Sequence, residues 1–178
     1  MRRLVYDVAT SVDGYVSHSD GSVEGFMMDG EHVTDYLQRL ASYDTVLMGR
    51  TTYEWGYRFG LTPGAPAYPH MTHLVFSKTL RFEQSDKVRI VADHPLAVVE
   101  GLKHGSSGTD LYLCGGGAFA GFLLEHGLID RLILKQNPVI FGHGVRLFGA
   151  STRKVSLRLG ASKLYANGVA LLEYELAY

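Results

Sequence analysis

Asp110-Leu111-Tyr112-Leu113-Cys114-Gly115-Gly116-Gly117-Ala118-Phe119-Ala120-Gly121-Phe122-Leu123-Leu124 carries an apolar strand into three glycines and straight out into a helix. The N–H groups that open a helix lack intrahelical partners, the helix dipole is positive at that end, and glycine lets a ligand reach the main chain. A phosphate group suits such a place. Phe119, Phe122, Leu123 and His126 fall at i, i+3, i+4 and i+7, with Gly127 as the C-terminal stop, and a strand from Leu128 to Val139 is expected next. Alone, the glycine cluster reads either as a phosphate turn or as a tight strand-to-helix connection. A Rossmann unit is not indicated, because the following strand ends Lys135-Gln136-Asn137-Pro138 without an acid for a ribose. A Walker loop is excluded, since no glycine is followed by Lys and then Ser or Thr.

Upstream, Thr45 to Met48 reads as a short buried strand ending in Gly49-Arg50-Thr51-Thr52-Tyr53-Glu54, a second strand-to-helix anion turn. Leu4 to Ala9 is a first strand entering a turn at Asp13-Gly14, and Ser17 to Gly30 is a Gly-, Asp- and Ser-rich loop whose apolar tip, Phe26-Met27-Met28, suits a cover over a pocket. Val33, Tyr36, Leu37 and Leu40 mark an amphipathic helix from Glu31 to Ser42. Gly56 to His70, with three prolines, reads as irregular. Strands follow at His73 to Ser77 and Val88 to Val91, then a helix from Pro95 to His104 closed by Gly105. Val139 to Phe148 is too apolar for a solvated linker and is expected to pack on the sheet. Val155 to Leu159 is a further strand, and Asn167-Gly168 within Leu164 to Leu171 signals a closing hairpin. The expected architecture is one layered α/β domain over residues 1–178, a mixed, mostly parallel sheet with helices on both faces and an antiparallel C-terminal hairpin.

A net charge of −1 provides no field for nucleic acid or an anionic membrane, so a ligand has to be held locally. The single cysteine, Cys114, forms no internal disulfide and reads as a core residue or a reactive thiol. The start lacks a signal core and no apolar run reaches the length of a membrane span, which points to the cytosol. The eight histidines show no metal-ligand spacing, and no metal is expected. Trp55 with Tyr53, Tyr57 and Phe59 reads as core or as the wall of a flat-ring pocket.

The Val-Asp-Gly turn, Val46-Leu47-Met48-Gly49-Arg50-Thr51-Thr52-Tyr53-Glu54, Val75-Phe76-Ser77-Lys78, Gly115-Gly116-Gly117 and Gly142-His143-Gly144-Val145-Arg146-Leu147-Phe148 occur in one order along nearly the whole chain. Together they resemble the RibD C-terminal-domain family, which has the dihydrofolate reductase fold. The resemblance implies a reductase that takes hydride from NADPH, acting on a small flat heteroaromatic molecule, a pteridine or a riboflavin-pathway pyrimidine. It places Gly49, Arg50, Thr51 and Thr52 at one helix opening toward the cofactor phosphates, and Gly115, Gly116, Gly117, Ala118 and Phe119 at the other. It sets Ser77 and Lys78 near the adenosine 2′-phosphate, where Arg50 also pairs, although Lys78 by spacing alone is a surface charge. The resemblance also implies that Ala9 and Thr10 border nicotinamide, and that Gly115-Gly116 can be joined by a cis link as in dihydrofolate reductases.

Two departures bear on substrate. Riboflavin-pathway reductases carry a first-strand lysine where this chain has Tyr6-Asp7-Val8-Ala9-Thr10, and their fused zinc deaminase has no counterpart here. Folate reductases place a carboxylate on the first helix, where Glu31 and Asp35 fall opposite the apolar stripe and read as solvated. Asp13 is the catalytic candidate, with proton delivery through it or ordered water, unless it only caps its own turn. From another class, a nucleotide-binding or regulatory module without turnover fits the same fold. A homodimer is expected, with Val139 to Phe148 as apolar surface in need of cover.

Overall fold

The computed structural model describes residues 1–178. Ten strands and four helices follow in chain order: β1 Leu4–Thr10, β2 Tyr15–Ser17, α1 Glu31–Ala41, β3 Thr45–Gly49, α2 Arg50–Trp55, β4 Thr72–Phe76, β5 Val88–Val91, α3 Pro95–His104, β6 Leu111–Gly115, α4 Gly117–Glu125, β7 Arg131–Gln136, β8 Val145–Arg146, β9 Ser156–Leu164 and β10 Ala170–Ala177. Eight of the strands make one sheet in the order β5-β4-β3-β6-β1-β7-β10-β9, parallel from β5 to β7 and antiparallel at β10 and β9. The remaining two, β2 and β8, pair as a small antiparallel ribbon.

The parallel strands are buried on both faces, which accounts for their nearly unbroken apolar runs. Alternation sorts them into two layers. Val5, Val46, Met48, Tyr112 and Ile133 pack with Leu40 of α1 and Tyr53 of α2. Leu4, Tyr6, Leu47, Leu113 and Leu132 pack with Val99 of α3 and Leu123 of α4 on the other face. Helices therefore cover both faces, as the periodicity implies.

The strand expected at Leu128 begins only at Arg131, because the Leu128 N–H closes α4 on Leu123 O at 3.1 Å and Leu128 and Ile129 enter the core from the connection. Gly56 to Phe59, read as irregular, forms a 3-10 turn continuing α2. The strand from Val155 to Leu159 and the first arm of the hairpin are a single nine-residue strand, β9. Gly160 interrupts the pattern there, and the register shift in β10 falls opposite it. Asn167-Gly168 does turn the hairpin, with Gly168 at φ +86°.

The segment 139–148 lies over α4 and β2. A side chain at Gly117 would meet Arg146 O at 2.0 Å and one at Gly121 would meet Phe148 O at 2.2 Å, so these two glycines let the segment sit directly on the helix. Most of its apolar side chains are thereby covered within the chain, Ile140 being the exception at 73% exposed.

Candidate active site

β3 and β6 lie side by side, but the chain leaves β3 through α2 toward β4 and leaves β6 through α4 toward β7, on the other side. That divergence is the switch point at which open α/β sheets hold ligands, beyond the carboxyl ends of the strands. Both glycine turns sit there. No side chain caps α2 or α4, so their opening N–H groups are left for a partner from outside the chain. A Cβ at Gly116 would stand 3.1 Å from Thr52 Oγ1, and one at Gly49 would touch Phe119 Cβ at 3.4 Å, which measures how closely the two turns approach. The Gly115-Gly116 peptide is cis, and Gly115 has φ +115°.

Above the turns opens a cleft of about 740 Å³. Gly49, Arg50, Thr51 and Thr52 form one side of it, with Gly116, Gly117, Ala118 and Phe119 opposite. Phe76 and Phe119 stack within it at 4.5 Å. Tyr6, Val8 and Cys114 line it from the strands, and Ser17, Ser19, Asp20, Gly21 and Val23 line it from the loop. The expected covering loop thus reaches the cleft through residues 17–23. Its apolar tip is turned elsewhere, with Phe26 buried and stacked 5.0 Å from Phe141. Of the aromatic group near α2, Trp55 lines the cleft with Arg58 over its ring at 4.2 Å, Tyr53 is core, and Phe59 is exposed.

The remaining candidates lie at the edges of this arrangement. Arg50 is bound to Glu54 at 2.9 Å and to Thr79 Oγ1 at 2.8 Å, which brings the α2 opening against the turn after β4. In that turn Ser77 Oγ accepts from the N–H groups of Thr79 and Leu80, and Lys78 is exposed. Ala9 is half-buried and Thr10 is buried; neither is in the cleft wall, and Thr10 Oγ1 has no hydrogen-bond partner.

Asp13 has a different job from the one expected of it. Its carboxylate accepts from Phe141 N at 3.1 Å and Gly142 N at 2.7 Å, outside the cleft. A hydrogen bond from Ser11, with those from Phe141 and Gly142, holds it at about 2, so it stays ionised at neutral pH and has no proton to give. Asp35 is partly exposed, but its carboxylate is engaged. It accepts from Tyr165 Oη at 2.7 Å and Lys163 Nζ at 2.8 Å, tying α1 to the hairpin. Glu31 is exposed, as expected, and shares Lys163.

Within the first-strand stretch that departs from the riboflavin-pathway reductases, Asp7 is fully buried between two cations. Lys135 Nζ lies 2.7 Å from one oxygen and Arg39 Nε 2.8 Å from the other. Spacing gives no sign of this trio, because β1 meets β7 only through the strand order. A smaller hollow of about 290 Å³ at the opposite ends of the strands is lined by Arg39, Asp110, Arg131 and Glu173, of which Arg131 and Glu173 pair with each other.

A mostly parallel sheet flanked by helices, closed by an antiparallel hairpin, with paired glycine turns at its switch point, is the dihydrofolate reductase-like architecture. The RibD C-terminal domain model matches residues 2–171, and the chain belongs to that family. It is 30% identical over 171 residues to the uncharacterized Bacillus subtilis protein YwjB, covering 96% of each. Among solved structures, a Shewanella sp. PV-4 protein named for riboflavin biosynthesis superposes with a TM-score of 0.81 at 23% identity over all of both chains. The Thermotoga maritima deaminase/5-amino-6-(5-phosphoribosylamino)uracil reductase superposes with a TM-score of 0.70 at 14% identity, this chain spanning 57% of its length. The fold is thus that of the riboflavin-pathway reductases. No helix is long and apolar enough to cross a membrane.

Proposed function

We propose that this chain is a cytosolic NADPH-dependent reductase of a small, flat heteroaromatic acceptor. The observation that carries the reading is the meeting of two uncapped helix openings at the switch point of the sheet, above one cleft. The N–H groups of Gly117, Ala118 and Phe119 would hold the pyrophosphate, and Gly116 keeps side chains out of the way. Thr51 and Thr52 add hydroxyl donors from the facing turn. Arg50 turns from Glu54 to the 2′-phosphate, with Lys78 and the Ser77 turn beside it. Ala9 and Thr10, behind the cleft wall at the end of β1, would back the nicotinamide end. The cofactor, when bound, supplies hydride. The chain orients it against the acceptor between Cys114, Val8 and Trp55, and the loop 17–23 excludes bulk water. With Asp13 bound up in its turn, ordered water delivers the proton.

NADPH is expected to bind at least tenfold more tightly than NADH, because each charge-assisted contact to the 2′-phosphate is worth about 1.5–3 kcal/mol. Calorimetric titration of both cofactors measures this, and equal affinities would remove Arg50 and Lys78 from the site. NADPH oxidation is then followed with pteridines, pyrimidines and flavins as acceptors. Tight cofactor binding with no oxidation by any of them would make the chain a nucleotide-binding module.

A further inference from the structure

Asp7, Lys135 and Arg39 form a cluster that the cofactor cleft does not explain. Other charges buried in the molecule hold chain ends. Lys103 bonds Leu128 O and pairs with Asp130, whose carboxylate also caps Leu4 N, and Asp44 accepts from Thr109 N. Asp7 has no such backbone partner. It sits in the middle of β1, and both of its oxygens go to side chains, one to Lys135 and the other to Arg39.

Formally the trio carries one negative charge against two positive; burial pulls the Lys135 ammonium down, and the charge and hydrogen bond of Asp7 hold it up. Lys135 is only 7% exposed, with Nζ 3.6 Å from the centre of the Tyr36 ring, and Arg39 Nη2 is buried without any partner. Burial without full compensation is costly, so a surplus charge held this firmly points to a use.

Arg39 lines the smaller hollow at the opposite strand ends, with Glu173 and Asp110, and the link from the trio to the cleft runs through Cys114, which lines it. Cys114 projects from β6 on the face that carries Asp7, since Tyr6 pairs with Leu113. Its thiol meets Tyr68 Oη at 3.8 Å, and beside it the Tyr36 and Tyr112 hydroxyls join at 2.9 Å. Burial pushes the Cys114 thiol up, the Tyr112 and Tyr68 hydroxyls and the Lys135 charge pull it down, and the Asp7 charge pushes it up again. The three phenols are raised mainly by burial and, for Tyr68, first by Cys114, so they remain neutral and add no anion to the floor.

We propose that Lys135, left in surplus because Arg39 already answers Asp7, makes the floor of the cleft under Cys114 positive, and that this end therefore takes an acceptor whose ring oxygen or nitrogen is anionic or becomes so as hydride arrives. The acceptor half of this inference rests on the reductase reading. Lys135 is a positioning residue in it, acting through the field at Cys114 rather than by contact. A neutral ring of the same size is held less well, because nothing in it answers the surplus charge.

The single cysteine makes the field measurable. Iodoacetamide alkylation of Cys114 as a function of pH is expected to shift its midpoint upward by about one unit in Lys135→Met and downward by a similar amount in Asp7→Asn, while Lys135→Arg stays near the parent. Opposite shifts report charge, and a merely structural role for the trio gives none. An unmoved midpoint in either folded neutral variant overturns the proposal. Barbiturate, a planar anion, and uracil, its neutral counterpart, then serve as probes of the acceptor end. Barbiturate should protect Cys114 about fivefold better than uracil at equal concentration, and Lys135→Met should lose the difference. Equal protection, including none by either, overturns the acceptor half. NADPH titrated into the parent protein tests the reductase reading separately: absence of binding removes that reading and leaves the charge coupling standing.

Discussion

Two neighbouring glycines separate into different tasks when each is asked what a methyl group would meet. Gly116 has an ordinary φ of −80° and faces only Thr52 Oγ1, so Gly116→Ala leaves the backbone unstrained and narrows the space between the two helix openings. NADPH affinity is expected to fall about tenfold, near 1.4 kcal/mol, with thermal unfolding little changed. Gly117 faces the backbone oxygen of Arg146, and Gly117→Ala is expected to destabilise the protein by about 1–3 kcal/mol through overpacking. Calorimetric titration and thermal melts of the two variants read the contrast, and a Gly116→Ala protein that binds NADPH like the parent would make this stretch a turn and nothing more. The glycine cluster was legible in sequence because helix-opening chemistry depends on a few adjacent residues. Asp7 and Lys135 were not, since 128 positions separate the members of the pair. Only the placement of β7 beside β1 brings them together.

At the scale of elements, the same distinction between local and assembled information applies to α1. Its periodicity marked a helix over nearly the right residues, yet Leu37, on the expected apolar stripe, is 57% exposed. The helix is rolled so that His32 and Arg39 reach inward, His32 Nε2 to Met27 O at 3.0 Å and Arg39 to Asp7. Those partners lie in a loop and another strand, beyond what a helical period encodes. Asp13 likewise acts between elements, holding the turn after β1 to the segment after β7. Its carboxyl is held at about 2, below the ordinary value near 3.9, so its contribution to stability is complete above the unfolded value and is lost as pH falls toward the folded one. Asp13→Asn should therefore melt below the parent at neutral pH, and the gap should narrow as pH falls from about 4 toward 2. A gap that stays constant through that window would mean the carboxylate is not what holds the turn.

For the whole molecule, the question is where an eight-stranded sheet ends. The expectation of a homodimer rested on the family resemblance, whose members commonly pair, and on Val139 to Phe148, but that segment is mostly covered by its own chain. The uncovered apolar surface is at β9, an edge strand exposed along all nine residues, with Leu157, Leu159 and Leu164 at 47%, 54% and 77%. A long edge without proline is a template for another strand unless charges repel the newcomer. Here the charges are engaged at home, Arg158 with Glu175 and Lys163 with Glu31 and Asp35. Leu157 and Leu159 pair with Leu176 and Tyr174, which pack on the α3–α4 face, so a second copy would extend an existing apolar layer. Pairing β9 antiparallel with its copy about a two-fold axis satisfies both edges at once and leaves no further edge to grow from on that side. Sedimentation at micromolar concentration should show a dimer. Leu157→Glu combined with Leu159→Glu, which sets like charges against one another across the axis, should give a folded monomer. A parent protein that sediments only as monomer would remove the dimer, and a double variant that stays dimeric would move the interface away from β9.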